Sequence, residues 1–357
     1  MTNKEIFNKW SDFYESKGIS NDLKTKYLDY IKILLDNNTP IIFDFQHLAQ
    51  LLGRNPYYLA SVVNSPNNHY REFKIKKKSG GYRLITAPYP ALLEMQEWIY
   101  HNILIQIPIN PCAHGFTSKK SIITSSKLHT GRKELLKLDL KDYFPSIKIN
   151  RIVFLFKSLG YPNIIAFYLA SICSFEESLP QGAPTSPILS NIISKILDKR
   201  LLSLSKKFNL KYTRYADDLT FSGDKIPAKF IEYATKIITE EGFNVNATKT
   251  RLYKKNDDEK IKRKRIVTGI SVSEEKIKIP RKYKRDLKQE LHYIFTFGLQ
   301  SHVIKQRIKK INYLFSIIGK VNFWISVEPD NEYAIESRKK LIEIYKSNYI
   351  LQVKNIS

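Results

Sequence analysis

The spacing of apolar residues predicts helices at both ends of the chain. Over residues 1–70 apolar side chains recur every three or four positions, which is the period of one helix face. Beyond Pro280 the pattern predicts long amphipathic helices crowded with Lys and Arg, one of them continuous over residues 302–315. The chain is thus divided into an N-terminal helical segment (1–70), a central domain (71–275) and a basic helical segment (276–357).

Between these ends the pattern mixes strands with shorter helices. Alternating residues on either side of Ser79-Gly80-Gly81 predict a β-hairpin, because glycines are typical of tight turns. Two further segments have strand patterns: one ends near Asp139, and the other turns at Asp217-Asp218. The predicted elements are a hairpin over 70–88, helices over 91–105, 149–175 (broken at 160–162) and 228–241, a strand over 134–140 and a strand-turn-strand over 211–223.

The charge balance indicates which class of partner the chain binds. Fifty-nine Lys and Arg stand against 34 Asp and Glu, which gives a formal net charge of +25 and a pI near 9.7. A field of this sign attracts polyanions, either nucleic acid or an anionic membrane surface. Residues 164–175, the most apolar stretch, are too few to cross a bilayer, and the N-terminus lacks the apolar core of a signal peptide. We therefore expect a cytoplasmic protein that binds nucleic acid and no membrane.

Several other chemistries lack their sequence signatures. Cys112 and Cys173 lie far apart and outside any Cys/His zinc spacing, so neither a zinc site nor a disulfide framework is expected. The chain has no GxGxxG fingerprint and no GKS or GKT phosphate loop. These observations exclude zinc deaminases and enzymes built on a Rossmann or P-loop nucleotide site.

Three aspartates are the strongest candidates for chemistry. Asp139 ends a predicted strand, and the pair Asp217-Asp218 lies at a predicted turn, so all three can meet at one edge of a sheet. Converging carboxylates repel one another unless cations lie between them. Their oxygens are the ligands that Mg²⁺ prefers, and two Mg²⁺ ions about 3.5–4 Å apart support phosphoryl transfer. Solvated turns also hold many Asp-Asp pairs, so the surrounding motifs decide between the two interpretations.

Four motifs around these aspartates occur in the order found in reverse transcriptases. YADD (215–218) resembles their active-site turn, and LDLKDYFPSI (138–147) resembles the palm motif that supplies the other metal ligand. LPQGAPTSPILSN (179–191) and NATK (246–249) resemble the motifs that shape the nucleotide pocket and continue the palm. The resemblance covers about residues 70–275. It implies an α+β right-hand polymerase, with fingers, a palm built on an antiparallel sheet and a helical thumb.

The resemblance also implies residues that shape the pocket for the incoming deoxynucleotide. Gln181 and Gly182 align beside the nucleotide, where a glycine lets the backbone approach a ligand closely. Phe144 aligns with the aromatic position that blocks a nucleotide 2′-hydroxyl and thereby favours deoxynucleotides. Plain core packing is the alternative explanation for Phe144.

Basic residues are the matching candidates for phosphate contacts. Arg83 and one of Lys76–Lys78 lie on the fingers-like hairpin and are suited to the triphosphate, because Arg can bind phosphate with two parallel hydrogen bonds. Lys249 is placed to protonate or screen the leaving pyrophosphate. A solvated hairpin and a surface lysine are the respective alternatives.

Further details resemble bacterial retron reverse transcriptases. The wording APTSPILSN and YADDLTFSG is typical of them, and Val267-Thr268-Gly269 matches the triplet in the region that contacts their own structured RNA. Retron enzymes commonly carry Asn-Ala-x-x-His before the first catalytic aspartate, whereas this chain has SSKLH (125–129). His129 is therefore either an RNA-binding residue or a structural histidine.

The resemblance implies a specific reaction and a set of partners. The enzyme would use dNTPs and two Mg²⁺ ions to copy a cognate non-coding RNA into branched multicopy single-stranded DNA (msDNA). Synthesis would start from the 2′-hydroxyl of a guanosine within that RNA, and a host ribonuclease H would trim the template. Retrons also resemble anti-phage defence modules, which implies a partner effector protein.

Two alternatives stay open at the level of sequence. A group II intron maturase or a diversity-generating reverse transcriptase shares the palm motifs, although maturases usually add a segment for which this chain has no room. A catalytically dispensable scaffold could keep the fold only to bind RNA or msDNA and restrain an effector. The intact Asp139, Asp217 and Asp218 argue against the scaffold.

Overall fold

The described part of the chain folds as helices around three antiparallel sheets, the α+β architecture expected from the sequence. The computed structural model describes residues 1–77, 80–254 and 265–354, of which 348–354 are described by their backbone alone. Lys78 and Ser79 of the hairpin turn lie outside the described residues. Within the described ranges, no helix is both long and apolar enough to span a membrane.

The helices and strands follow the hydrophobic pattern closely along the chain. The helices are α1 (Asn3–Ser16), α2 (Asn21–Asp36), α3 (Phe45–Leu51), α4 (Pro56–Asn64), α5 (Pro90–Asn102), α6 (Ile122–Lys127), α7 (Tyr143–Ser146), α8 (Ile149–Ser158), α9 (Asn163–Ile172), α10 (Thr185–Ile193), α11 (Lys195–Lys207), α12 (Ala228–Glu240), α13 (Arg281–Phe297), α14 (Leu299–Lys305), α15 (Tyr313–Val327) and α16 (Glu332–Lys354). The strands are β1 (Tyr70–Lys76), β2 (Tyr82–Pro88), β3 (Glu134–Asp139), β4 (Lys211–Tyr215), β5 (Asp218–Gly223), β6 (Arg251–Tyr253), β7 (Ile266–Val267), β8 (Ile270–Val272) and β9 (Ile277–Lys278).

The central sheet has the strand order β4-β5-β3-β6. All its pairs are antiparallel, and the register sets Asp139 of β3 opposite Asp218 of β5. Leu136 and Phe221 face each other in the same pair and are fully buried. The sheet therefore rests on the main hydrophobic core, and its register alone brings two of the three aspartates together.

The first 70 residues are helical, as predicted, and pack in two ways. Helices α1 and α2 enclose a small cluster around Tyr14 and Ile31. Helices α3 and α4 contribute Leu48 and Leu59 to the main core instead. Caps fix where these helices begin: Thr2 forms a capping box before α1, while the Asp44 and Asn55 side chains cap α3 and α4.

The small sheet β7-β8-β9 shares a second core with helices α13–α16, which we call the C-terminal helices. Ile270 and Ile277 of the sheet pack in the same cluster as Leu291 and Trp324 of the helices. This packed cluster spans the predicted boundary at residue 275. The boundary stays a prediction, and the packing joins the residues on its two sides.

The C-terminal helices differ from the sequence prediction at one point. Residues 302–315 do not form one continuous helix: α14 ends at Lys305, and α15 begins at Tyr313. Arg307 adopts a left-handed backbone (φ 50°), and the Ile308 amide donates to the Val303 carbonyl, a geometry that ends a helix. The apolar period continues across this interruption, so periodicity alone could not reveal it.

Candidate active site

The three aspartates lie at one end of the central sheet. Asp139 is the last residue of β3, Asp218 is the first residue of β5, and the two are register partners. Asp217 belongs to the two-residue turn that joins β4 to β5, where Ala216 adopts a left-handed backbone with φ 54°. The Leu140 amide donates to the Asp217 carbonyl at 3.0 Å, which ties this turn to the end of β3.

This end of the sheet gathers three carboxylates, whose charge the neighbouring Lys137 and Lys249 offset only in part. Burial, followed by the neighbouring Asp218 and Asp139 carboxylates, raises the pKa of Asp217 to about 6. Burial also raises the pKa of Asp218, and Lys137, 4.0 Å away, opposes that shift. Because both shifts mean that the charged forms are disfavoured, a cation bound at this end of the sheet would relieve the repulsion.

Lys249 is the nearest cation to Asp139. Its Nζ donates to both carboxylate oxygens of Asp139, at 2.9 and 3.0 Å. The loop that carries Lys249 is fixed to the same strand, since the Asn246 amide donates to the Asp139 carbonyl at 2.7 Å. The bonds to Asp139 raise the pKa of Lys249, so the ammonium group is firmly protonated, although the side chain is 60% exposed.

The donor set fits a hard divalent cation, but the side chains do not enclose one. All the candidate ligands are carboxylate oxygens, the donors that Mg²⁺ selects. Across residues 1–77, 80–254 and 265–354, no three acidic, histidine or cysteine side chains lie close enough together to hold a metal ion. Asp139, Asp217 and Asp218 thus share one end of the sheet without forming a closed ligand set.

Three aromatic rings form a row from α7 to the active-site turn. Phe144 on α7 is half-buried, and its ring centroid lies 6.2 Å from that of Phe116. Phe116 in turn lies 6.5 Å from Tyr215, the residue that begins the active-site turn. Phe144 is thus neither fully in the core nor free in solvent. Phe116, which has a left-handed backbone (φ 56°), was not among the residues that the sequence indicated.

Gln181 and Gly182 bind the hairpin β1-β2. The Thr86 amide of β2 donates to the Gln181 carbonyl at 2.9 Å. A Cβ on Gly182 would lie 2.7 Å from the Thr86 carbonyl oxygen, and its φ of 147° also favours glycine. In this structure glycine is therefore required for close approach to a strand. Arg83 lies on the same strand, and its side chain is exposed.

His129, expected from the sequence to be either an RNA-binding or a structural residue, lies in the interior. Its ring is 1% exposed, with Nδ1 hydrogen-bonded to Ser222 Oγ at 2.7 Å and Nε2 to Thr213 Oγ1 at 2.8 Å. Burial lowers the pKa of His129 to about 3, which keeps the ring neutral. With both nitrogens engaged, the ring joins the turn that follows α6 to strands β4 and β5.

The triplet Val267-Thr268-Gly269 forms the tight turn between β7 and β8. Val267 is fully buried, and its carbonyl accepts from Ser126 Oγ at 3.1 Å. Thr268 and Gly269 have positive φ angles of 45° and 88°, and Gly269 is exposed. This geometry presents the turn to solvent and leaves Val267 as its anchor. The triplet is thus held by α6 and is not part of the aspartate cluster.

A buried polar network beneath the active-site turn is absent from the sequence prediction. It centres on the ion pair between Arg214 of β4 and Asp198 of α11, both fully buried. Asn191, Tyr143 and Tyr212 complete it through hydrogen bonds. The sequence holds one indication of this network: Arg214 lies within a predicted strand, and a buried arginine needs a partner of opposite charge.

Comparison with known proteins identifies the family of this chain. A family model described as reverse transcriptase (RNA-dependent DNA polymerase) matches residues 75–314. The chain belongs to that family. It is 38% identical over 296 residues to the retron Mx65 reverse transcriptase of Myxococcus xanthus, which covers 74% of this chain and 68% of that protein. It is 34% identical over 260 residues to the retron Ec86 reverse transcriptase of Escherichia coli, covering 72% and 79%.

These matches identify a bacterial retron reverse transcriptase, an RNA-directed DNA polymerase with the right-hand fold. The central sheet is accordingly its palm. Among solved structures, the foamy viral protease–reverse transcriptase in complex with double-stranded DNA has a TM-score of 0.39 and 14% identity. That likeness covers 88% of this chain and 52% of the viral one and adds no weight to the sequence matches.

Proposed function

We propose that this reverse transcriptase copies its own cognate non-coding RNA into branched msDNA, starting from the 2′-hydroxyl of a guanosine within that RNA. The observation that carries the proposal is the meeting of Asp139, Asp217 and Asp218 at one end of the palm sheet, in a chain with retron relatives. The three intact carboxylates favour an active polymerase over a scaffold. The retron relatives favour this product over that of a maturase or a diversity-generating enzyme.

In this proposal the three aspartates hold two Mg²⁺ ions. When bound, these ions would activate the attacking hydroxyl and stabilise the leaving oxygen. Lys249 now donates to both carboxylate oxygens of Asp139, so a cation bound there would favour release of this ammonium group through like-charge repulsion. Once released, the exposed Lys249 ammonium is suited to screen or protonate the pyrophosphate.

The incoming dNTP would lie between the hairpin and the palm. Phe144, half-buried beside Phe116, would exclude a nucleotide 2′-hydroxyl. Gln181 and Gly182 would form the adjoining wall, because their contact with Thr86 fixes that loop against β2. Arg83 is exposed on the same strand and is suited to the triphosphate through its planar, five-donor guanidinium.

RNA recognition would use the surface beyond the palm. The exposed end of the Val267-Thr268-Gly269 turn would contact the structured RNA, with buried Val267 acting as its anchor. The C-terminal helices would serve as the thumb, since exposed Lys and Arg can follow the backbone of an A-form duplex. His129 would act only through the packing of α6.

The remaining partners follow from the retron assignment. A host ribonuclease H would trim the RNA template of the product, and the enzyme would work in the cytoplasm. The enzyme and its msDNA would restrain an effector protein in an anti-phage defence system. The ribonuclease H and the effector are partners outside the chain, and both expectations depend on the msDNA product being made.

The experiment that tests the site is the double substitution Asp217→Asn with Asp218→Asn. It removes about two negative charges from the proposed metal site without changing side-chain size, so DNA synthesis on a primed RNA template should fall below detection. RNA affinity should stay near that of the wild type, because Lys and Arg contacts dominate it. Retained synthesis would sink the catalytic assignment.

A further inference from the structure

Arg214 has an unusual position for a charged residue. It lies on β4, two residues before Ala216 of the active-site turn, and is fully buried. Its Nε and Nη2 donate to the two carboxylate oxygens of Asp198, at 2.8 and 2.6 Å. Asp198 is equally buried, so the pair exchanges two hydration shells for one bidentate contact. Such pairs seldom add stability compared with apolar residues of similar size, so their benefit is more often geometric.

The third guanidinium nitrogen reaches the active-site turn itself. Arg214 Nη1 lies 3.3 Å from the Ala216 carbonyl oxygen, 2.9 Å from the Tyr143 hydroxyl and 3.0 Å from Asn191 Oδ1. The Ala216 carbonyl belongs to the peptide bond that leads into Asp217. A planar guanidinium can bind a carboxylate with two parallel hydrogen bonds on one edge and a carbonyl on the other, whereas an ammonium group has three donors but no planar fork that fixes this geometry.

Gly115 packs closely against the backbone of Tyr215 and Ala216. A Cβ built on Gly115 would lie 2.7 Å from the Ala216 amide nitrogen and 3.2 Å from the Tyr215 carbonyl carbon. The segment is fixed in this position because the His114 amide donates to the Arg214 carbonyl at 2.7 Å. Asn191 Nδ2 also donates to the Gly115 carbonyl at 2.8 Å. The turn is therefore contacted both by the backbone at Gly115 and by the buried Arg214 guanidinium.

The contacts around Ala216 are significant because this residue has a left-handed backbone. A non-glycine residue with φ 54° is strained and persists only where its surroundings impose that conformation. The direction of the Asp217 side chain depends on this conformation, because Asp217 follows Ala216 directly. A turn free to relax at Ala216 would re-aim the carboxylate while leaving β4 and β5 paired.

We propose that Arg214 is a positioning residue which, together with Gly115, holds the left-handed turn at Ala216 and so aims the Asp217 carboxylate for catalysis. Asp198 orients Arg214, and Asn191 connects Arg214 with the Gly115 segment. This proposal rests on the proposed role of Asp217 in DNA synthesis. It adds that the chemistry depends on a polar network that touches neither nucleotide nor metal.

The first test is Arg214→Lys, which keeps the positive charge beside Asp198 and removes the guanidinium geometry at Ala216. On an RNA template with an annealed DNA primer, we expect nucleotide incorporation at saturating dNTP to fall about 100-fold, the usual result of misplacing a reacting group by about 1 Å. The dNTP KM should stay within about threefold, because the residues that bind the nucleotide are intact. A purely structural role would lower the folded fraction and leave the rate per folded enzyme unchanged, and that result would overturn the proposal.

Gly115→Ala keeps the test decisive if Arg214→Lys fails to fold. The added methyl meets the Ala216 backbone, so the same loss of rate is expected with unchanged RNA affinity. Gly319→Ala is the matched control, because Gly319 lies inside α15 with nothing within 4 Å of the new methyl. A rate for Gly115→Ala equal to that of the control would overturn the proposal.

The double variant Asp217→Asn with Asp218→Asn separates this inference from the proposed function. If it stays active, the aspartates are not the catalytic ligands, and the proposed function and the inference fail together. If it is inactive while Arg214→Lys and Gly115→Ala keep wild-type rates, only the inference fails. Loss of rate in all three variants, with normal RNA affinity, supports both.

Discussion

The palm and the C-terminal helices of this enzyme use charge in opposite ways. In the palm, Arg214 and Asp198 are fully buried and meet with bidentate geometry. On α13, the Arg285 and Asp286 side chains lie 3.8 Å apart and are 78% and 53% exposed. Water screens the second pair and not the first, so only the first can fix the geometry of neighbouring groups.

The same contrast appears in the overall charge of the chain. Residues 276–357 hold 17 Lys and Arg against seven Asp and Glu, whereas residues 1–69 hold seven of each. The positive field that attracts RNA thus comes from the central and C-terminal parts and not from the N-terminal helices. Single substitutions should therefore have their largest effects in the palm, whereas a change in RNA binding should require several substitutions on the C-terminal helices.

The largest effect on stability should come from breaking the buried pair. Asp198→Ala leaves the Arg214 guanidinium buried without its carboxylate, which should cost about 3–5 kcal/mol in the free energy of unfolding. Asp286→Ala on exposed α13 is the matched control and should cost within about 0.5 kcal/mol. Urea unfolding of the two variants measures the difference. Equal losses would mean that burial does not separate the two regions as described.

The next effect concerns pH and the buried His129. Its folded-state pKa is lowered to about 3, whereas an unfolded histidine titrates near 6.5. Below about pH 6.5 the histidine of the unfolded chain binds a proton, whereas the folded His129 ring stays neutral. The free energy of unfolding therefore decreases as the pH falls towards 3. At pH 5 this loss should reach about 2 kcal/mol.

Urea unfolding between pH 7.5 and pH 5 checks this expectation in the wild type and in His129→Gln. The variant should show a flatter pH profile, because it removes the group that titrates between the two states. His292→Gln, on the exposed face of α13, should leave the profile as it is. A wild-type slope that persists in His129→Gln would show that another group causes it.

The smallest effects per residue are expected on the surface. Changing Lys305, Lys309 and Lys310 to Gln should lower the slope of log K against log salt for RNA binding by up to about 0.9 for each duplex phosphate that is no longer neutralised. Incorporation rates at saturating RNA should not change. The same substitutions at Lys4, Lys9 and Lys17, in the electrically neutral N-terminal helices, should leave the slope unaltered. Binding titrations at several salt concentrations measure both, and equal slope changes would remove the distinction between the regions.

Local features of this fold could be read from the sequence. The hairpin β1-β2, the strands that end at Asp139 and begin at Asp218, and the break between α8 and α9 all follow from period, turn residues and a glycine-proline interruption. Each depends on residues close in sequence. The interruption between α14 and α15 could not be predicted, because the apolar period continues through that segment.

Features that depend on tertiary pairing could not be read in the same way. Asp198 and Arg214 are 16 residues apart, and Gly115 meets Ala216 across about 100 residues, so only the folded register reveals either contact. The contacts of His129 could not be predicted from the sequence for the same reason. Its partners Ser222 and Thr213 are ordinary strand residues whose hydroxyls became significant only when α6 packed on the sheet.

Branched msDNA, if the enzyme makes it, should copurify with the enzyme expressed from its native operon. The sample is treated with ribonuclease, then with debranching enzyme, and both products are run on a denaturing gel. We expect a discrete DNA whose mobility changes on debranching, and no DNA from the Asp217→Asn, Asp218→Asn variant. Linear DNA would contradict the 2′-hydroxyl start while keeping the polymerase, and RNA without DNA in the wild type would contradict the account as a whole.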